Sequence, residues 1–226
     1  MKRSDKLEKI EKQMSDSYHV GMLLTCVGGF LDAYTYICRG GVFANAQTGN
    51  LVLLGIRVAN GDLLGGLYYL VPILAFVCGI LISELIKRKF RNLEKIHWRQ
   101  IIVGFEILVL LGIAFIPQGK YDVVANVQVS FVCSLQVQSF RKIAGKTYAS
   151  TMCTGNLRSG TEHLSNYFGS KDKVQLMHAF KYYLIICIFL IGAGIGGLFT
   201  DMLGVRAIFI ACAGLFVPFV LMFKQN

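Results

Sequence analysis

The chain has 226 residues, of which 54% are hydrophobic and only 16% are charged, and its formal net charge is +10. Soluble globular domains carry about 25% charged residues, so this composition excludes an ordinary soluble protein and indicates a membrane protein. The basic residues stand in short clusters between apolar runs, a distribution that sets membrane topology and does not indicate nucleic-acid binding.

The N-terminal segment, residues 1–17, alternates Lys and Arg with Asp and Glu. Leu7, Ile10 and Met14 share one face at helical spacing. This pattern predicts a short amphipathic helix on the cytoplasmic surface of the membrane. A partly disordered basic tail is the alternative that the pattern leaves open.

Six apolar runs follow, each near the length of about 20 residues that a membrane-spanning helix needs, although 101–116 reaches it only if Trp98 and neighbouring residues extend it. We predict a transmembrane helix at each of them: 20–38, 63–86, 101–116, 122–140, 178–199 and 204–223. Two further segments, 48–60 and 154–168, have helical patterns but are too short or too polar to cross the bilayer. The sequence therefore predicts an all-α polytopic membrane protein.

The charge clusters predict how these segments are oriented. The basic N-terminus and the basic cluster at 87–99 should both lie in the cytoplasm, so an even number of crossings must separate them. The segment 48–60 is therefore predicted to enter the membrane from outside and return. By the same count, 154–168 enters from the cytoplasm and returns. The result is six spans and two re-entrant helices, with both termini cytoplasmic.

A motif occurs twice in the chain. The stretch Ala44-Asn45-Ala46-Gln47-Thr48-Gly49-Asn50-Leu51 ends in Thr-Gly-Asn-Leu. The same four residues return 106 positions later as Thr154-Gly155-Asn156-Leu157, and small polar residues again precede them. A fixed offset indicates an internal duplication. We predict one membrane domain, 18–223, made of repeat A at 18–117 and repeat B at 122–223. Each repeat contains three crossings, so the second is inverted, which is the plan of many secondary transporters.

The two motifs also carry a resemblance to a known family. The stretch from Gly28 to Tyr34, followed by Val42 to Asn50, resembles the YoaK family of bacterial inner-membrane proteins. The stretch from Leu135 to Lys142, with Thr151 and Thr154-Gly155, is similar to the same family. The resemblance spans roughly residues 18–223 and implies a multi-pass fold in the bacterial cytoplasmic membrane. The function of the family is undetermined, so the resemblance implies no chemistry.

The two Thr-Gly-Asn tips are the predicted solute site. Thr48 and Thr154 are predicted N-caps, and the glycine after each lets the chain turn sharply. Two helix N-termini that converge from opposite sides would attract an anionic or strongly dipolar group. The alternative is that the polar side chains only cap and brace the loops. The candidate solute-binding residues are Asn45, Gln47, Thr48, Gly49, Asn50, Gln138, Thr151, Thr154, Gly155 and Asn156.

Two acidic residues stand inside apolar runs. Asp32 and Glu106 would be costly in the bilayer unless each faces a partner or a water-filled path, so we predict a role in proton or cation coupling. The structural alternative for Asp32 is to accept hydrogen bonds from the opposing loop or to pair with an arginine. Gln138 stands at the position that corresponds to Asp32 in the second repeat, so the repeats are not equivalent.

The run Gly192-Ala193-Gly194-Ile195-Gly196-Gly197 matches a dinucleotide-binding pattern but lies inside an apolar run without a preceding strand. Gly192 and Gly196 instead predict a face for close helix packing. We find no metal-ligand spacing, cofactor motif or catalytic motif, so neither metal, cofactor nor enzyme activity is predicted.

The predicted function is a secondary transporter that moves a small polar or anionic solute by alternating access. Two other classes stay open: a channel-like pore built from two re-entrant half-helices, and a membrane-embedded enzyme or accessory protein. The predicted partners are the lipid bilayer and a small-molecule solute, with no nucleic acid. Association of identical copies into a homo-oligomer is left open.

Overall fold

The computed structural model describes residues 17–90, 98–143, 146–147 and 153–225. Most of the predicted N-terminal amphipathic segment lies outside these residues. The fold is all-α apart from two-residue strands, β1 (Lys142–Ile143) and β2 (Lys146–Thr147), which pair antiparallel. The helices of the described residues are α1 (Tyr18–Cys38), α2 (Gln47–Ala59), α3 (Leu63–Phe90), α4 (Trp98–Ile113), α5 (Asp122–Ser139), α6 (Cys153–Ser170), α7 (Lys173–Leu203) and α8 (Ile208–Leu221), with 3₁₀ turns at Gly204–Ala207 and Met222–Gln225.

Local chemistry explains where several of these helices begin and end. Ser17 caps α1 by accepting the Val20 N–H, and Asp172 caps α7 by accepting the Val174 N–H. Such side-chain acceptors satisfy N–H groups that have no partner within the helix. Gly204, with φ of +56°, ends α7 in a backbone conformation that favours glycine.

Three helical segments of the described chain are long and apolar enough to cross a membrane: Tyr18–Cys38, Leu63–Phe90 and Lys173–Leu221. The third contains both α7 and α8, which the turn at Gly204–Ala207 separates. The helices α4 and α5 are shorter, with 16 and 18 residues. The long apolar helices are those of a membrane protein.

The helices pack in pairs that correspond between the two halves of the chain. The most extensive contacts join α1 to α7 and α3 to α5. The short helix α2 packs on α3, and α6 packs on α7. In the centre, α1 contacts α8, α5 contacts α4, and α4 contacts α8. The main buried core lies among α1, α4, α5 and α8, so the remaining helices surround it.

Glycines allow α1 and α7 to approach closely, as the spacing of Gly192 and Gly196 predicts. A Cβ atom on Gly196 would lie 2.7 Å from the Phe30 carbonyl oxygen, and one on Gly192 would collide with the Cys26 carbonyl. Gly29 on α1 meets the main chain of α7 in the same way. The prediction of a close-packing face is confirmed, and its partner is α1.

A buried arginine joins the end of α1 to the connection between α4 and α5. The Arg39 side chain has no exposed surface, and its Nη1 donates to Asp122 Oδ1 at 3.1 Å. The guanidinium also donates to the carbonyls of Ile113 and Ile116 and to the Tyr34 hydroxyl. A buried charge is tolerated when it is paired and hydrogen-bonded in this way.

The carbonyl of Arg39 extends this cluster to other helices. It accepts the Tyr68 hydroxyl of α3 at 2.8 Å and the Asn126 side-chain amide of α5 at 2.7 Å. Gly40 and Gly41 follow with φ of +78° and +77°, and they turn the chain towards α2. This Arg39 cluster therefore fixes the point at which the loop before α2 leaves α1.

Candidate functional site

The loop between α1 and α2 folds back onto α1 and bonds to the buried Asp32. The Asn45 main-chain N–H donates to Asp32 Oδ1 at 2.6 Å, and the Asn45 side-chain amide donates to the Gly28 carbonyl at 3.2 Å. Asp32 therefore accepts a hydrogen bond from the opposing loop, which is one of the structural roles that its sequence position allows. No ion pair joins it to an arginine among the described residues.

The polar residues that flank this loop brace its main chain. Asn50 accepts the Phe43 N–H at 3.0 Å and donates to the Phe43 carbonyl at 2.8 Å. Gln47 donates to the Ala44 carbonyl at 2.9 Å and accepts from Asn50. A non-helical segment buried in a membrane protein needs such partners, because the bilayer core offers no water to its peptide groups.

The predicted N-cap role of the two threonines is wrong. Thr48 is the second residue of α2, whose N-cap position is occupied by Ala46 without a side-chain hydrogen bond. The helix begins early because the Gly49 N–H bonds to the Ala46 carbonyl at 2.9 Å and so closes the first turn with the main chain. Thr154 is likewise the second residue of α6. Both threonines are exposed, and neither side chain bonds to a described residue.

One cavity of about 730 Å³ brings the two tips together. This volume lies within the range of about 300–1,000 Å³ that is typical of small-molecule sites. Six of the predicted site residues line the cavity: Asp32, Asn45, Gln47, Thr48, Thr154 and Gly155. The N-terminal ends of α2 and α6 thus border the same space as the acidic residue of α1.

Aromatic side chains form much of the remaining wall. Tyr36 of α1 and Phe43 of the loop are stacked with their ring centroids 4.8 Å apart. Phe76 of α3 and Phe189 of α7 come from the two long outer helices, and Cys153 begins α6 beside Thr154. The cavity therefore combines a few polar groups with a mostly apolar lining.

Other predicted site residues lie elsewhere. Gly49, Asn50 and Asn156 belong to the two tips but do not line the cavity, and both asparagines are buried. Gln138 donates to Glu84 at 2.5 Å, because α5 packs on α3 at this position. Thr151 lies outside the described residues.

Glu106 is also separated from the cavity. It is fully buried, and each of its carboxylate oxygens lies 3.2 Å from the side-chain nitrogen of Gln136. This contact joins α4 to α5 within the core. Within the described residues, no group of three or more His, Cys, Asp or Glu side chains is placed to hold a metal ion.

Sequence reasoning missed the aromatic wall and the Arg39 cluster. Phe43 adjoins the repeated motif, but Phe76 and Phe189 lie in long apolar helices where one aromatic residue resembles another. Arg39 and Asp122 carry a usable signal, since one ends an apolar run and the other begins one, with opposite charges.

Comparison with known proteins agrees with the membrane assignment. The family model described as "Protein of unknown function (DUF1275)" matches residues 20–221. The UPF0700 transmembrane protein YoaK of Bacillus subtilis (strain 168) is 26% identical over 179 residues, which cover 76% of this chain and 78% of that protein. No solved structure matches the chain significantly.

Proposed function

The chain belongs to the family described as "Protein of unknown function (DUF1275)", and we propose that it moves a small polar solute across the bacterial cytoplasmic membrane by alternating access. The observation that carries this proposal is the single cavity shared by both Thr-Gly-Asn tips and Asp32. Secondary transporters with inverted repeats bind their solutes between the repeats, beside the ends of discontinuous helices.

The packing of the helices supports two inverted repeats, α1–α4 and α5–α8, with six spans and two re-entrant helices. If α1 to α4 are exchanged in order with α5 to α8, the α1–α7 contact becomes the α5–α3 contact. The same exchange converts α2–α3 into α6–α7 and α1–α8 into α5–α4, and it leaves α4–α8 unchanged. Such a correspondence is expected when two copies of one unit are related by an approximate two-fold axis.

In this proposal the two threonine hydroxyls contact the solute. Since Thr48 and Thr154 do not cap their helices, each hydroxyl is available as both donor and acceptor. They come from corresponding positions of the two repeats and line the same cavity. A solute between them would therefore contact both halves of the protein, which is the arrangement that alternating access requires.

We assign ion or proton coupling to Asp32 and not to Glu106. Asp32 lines the cavity, where a charge can exchange with the solute or with water. Glu106 is enclosed in the core with both oxygens beside Gln136. An ionisable residue within the membrane is functional when it faces such a path.

The first test measures binding with a cysteine of the native protein. Cys153 lines the cavity, so a bound solute should slow its alkylation, measured by mass spectrometry of its peptide. Compounds would first be chosen from melting shifts across small anions, cations, amino acids, nucleobases and vitamins. A ligand at 100 times its dissociation constant stabilises the fold by about 2.7 kcal/mol, which such a screen detects.

The second test uses the solute found in this way. Purified protein in liposomes should show saturable, gradient-driven uptake of that solute, and Thr48→Val and Thr154→Val should each weaken its protection of Cys153 without lowering the melting temperature. Ion conductance or unsaturable flux would instead identify a pore. Failure of every solute class to protect Cys153 would refute a solute site in this cavity.

A further inference from the structure

We propose that the cavity between the two tips binds an organic cation, and not the anion that two helix N-termini alone would favour. This inference rests on the proposed function and names the chemical class of its solute. Three features of the described residues carry it: the position of Asp32, the sign of the charge in the lining, and the aromatic wall.

The first feature is that Asp32 already occupies the end of α2 as an anion would. Its Oδ1 accepts the Asn45 N–H, two residues before the first residue of α2. Negative groups are stabilised at helix N-termini, so this carboxylate offsets the partial positive charge of α2. A second anion at the same place would meet the carboxylate at close range in a medium of low dielectric constant, where repulsion between like charges is strong.

The second feature is the absence of a positive counter-charge. Of the described residues that line the cavity, Asp32 is the one acidic side chain, and none is Lys, Arg or His. Arg39, the nearby buried cation that follows α1, already bonds to Asp122, to main-chain carbonyls and to Tyr34. A buried charge requires a partner of opposite sign. A bound cation would neutralise the Asp32 carboxylate, whereas a bound anion would add a second negative charge without a partner.

The third feature is the aromatic lining. Tyr36, Phe43, Phe76 and Phe189 reach the cavity from α1, the following loop, α3 and α7. The faces of aromatic rings attract cations, and quaternary ammonium groups in particular are recognised by several rings around one site. Weakly hydrated organic cations fit a mostly apolar cavity better than a metal ion, which would require several oxygen ligands.

The test uses three probes that share a shape and differ in charge. Choline is the cation, 3,3-dimethyl-1-butanol is its neutral carbon analogue, and 3,3-dimethylbutanoate is an anion of similar size. Each is titrated against alkylation of Cys153 in the full-length native protein, with Cys26 as the internal reference because it does not line this cavity. We expect choline to protect Cys153 at concentrations at least about tenfold lower than either analogue, since only the cation pairs with Asp32.

Two variants separate the charge from the rings. Asp32→Asn keeps an acceptor oxygen for the Asn45 N–H and should raise the choline concentration for half protection about tenfold or more, leaving the neutral analogue within about twofold. Phe76→Leu roughly keeps the apolar volume and should weaken choline binding by about threefold to thirtyfold. Its effect on the neutral analogue should again stay within about twofold. The melting temperature of each variant shows whether it is folded.

The outcomes distinguish this inference from the proposed function. Stronger protection by the carboxylate, or equal protection by all three probes, overturns the cation assignment and leaves a transporter of another solute. Absence of protection by choline likewise overturns it. If choline protects Cys153 but crosses the membrane neither saturably nor against a gradient, the cation site stands and the transporter proposal fails.

Discussion

At the scale of single residues, the two aspartate–arginine pairs among the described residues differ mainly in burial. Arg39 and Asp122 are enclosed, with side-chain exposures of 0% and 11%. Arg57 and Asp62 lie at a similar distance, 3.0 Å, but are 51% and 42% exposed. Breaking a buried pair leaves an uncompensated charge, whereas an exposed pair is replaced by water at little cost.

Asp122→Asn should therefore lower the free energy of unfolding by about 2–3 kcal/mol, because the Arg39 guanidinium loses its counter-charge. Asp122 accepts from Arg39 with one carboxylate oxygen and from the Gly119 N–H with the other. An asparagine has one acceptor oxygen, so the change removes the charge and one of these two hydrogen bonds. Asp62→Asn is the matched control and should cost less than about 1 kcal/mol. Denaturant unfolding in detergent measures both. Equal effects would mean that the Arg39 cluster is not a buried electrostatic contact.

In the first tip, Asn50 stabilises the main chain of the loop, whereas the Thr48 hydroxyl bonds to no described residue. Asn50→Ala removes both hydrogen bonds to Phe43 and should cost about 1–3 kcal/mol, since buried peptide groups lose their partners. Thr48→Ala should leave the melting temperature almost unchanged, because the threonine bonds to no described residue. Thermal unfolding compares the two variants. A large loss of stability in Thr48→Ala would restore the capping role that the structure assigns to the main chain.

At the scale of helices, glycine decides how closely α1 and α7 pack. Gly192 faces the main chain of α1, whereas a Cβ atom on Gly194, two residues further along α7, would meet nothing within 4 Å. The two positions share a helix and differ only in the face that they present. Comparing alanine substitutions at the two positions therefore separates the effect of helix packing from that of helix propensity.

Gly192→Ala should force α1 and α7 apart and lower the melting temperature by several degrees, as overpacking costs about 1–3 kcal/mol. Gly194→Ala should be neutral or slightly stabilising, because alanine favours a helix over glycine by up to about 1 kcal/mol. Thermal unfolding in the same detergent gives both values. Similar losses at both positions would argue against a glycine-mediated α1–α7 interface.

At the scale of the whole molecule, the distribution of basic residues predicts the topology. With the seven native cysteines replaced, a single cysteine at Arg141 or Leu93 should react with an impermeant thiol reagent only from the cytoplasmic side. One at Lys120, which is exposed in the connection between α4 and α5, should react from outside. Labelling intact cells and inverted vesicles measures the difference. Reaction of the Leu93 position from outside would mean that α2 crosses the membrane, and the inverted repeat would be lost.

Much of the helical framework could be predicted from the sequence because apolar runs are local properties. The runs at 20–38 and 122–140 agree closely with α1 and α5, and the short segment 48–60 agrees with α2. The spacing of Gly192 and Gly196 identified a packing face for the same reason: helical periodicity places both on one side. The partner helix, α1, was not predictable from that spacing.

The site depended on tertiary structure, because its walls come from distant parts of the chain. The sequence determined that Asp32 is an acid within an apolar helix and that the Thr-Gly-Asn motif occurs twice. Only the packing of α1 against α7 and of α3 against α5 decided that Thr48, Thr154, Phe76 and Phe189 border one cavity. Packing also decided that Gln138 bonds to Glu84 away from this space. Local pattern fixes which face of a helix is apolar, whereas contacts between distant segments depend on how all the faces are buried together.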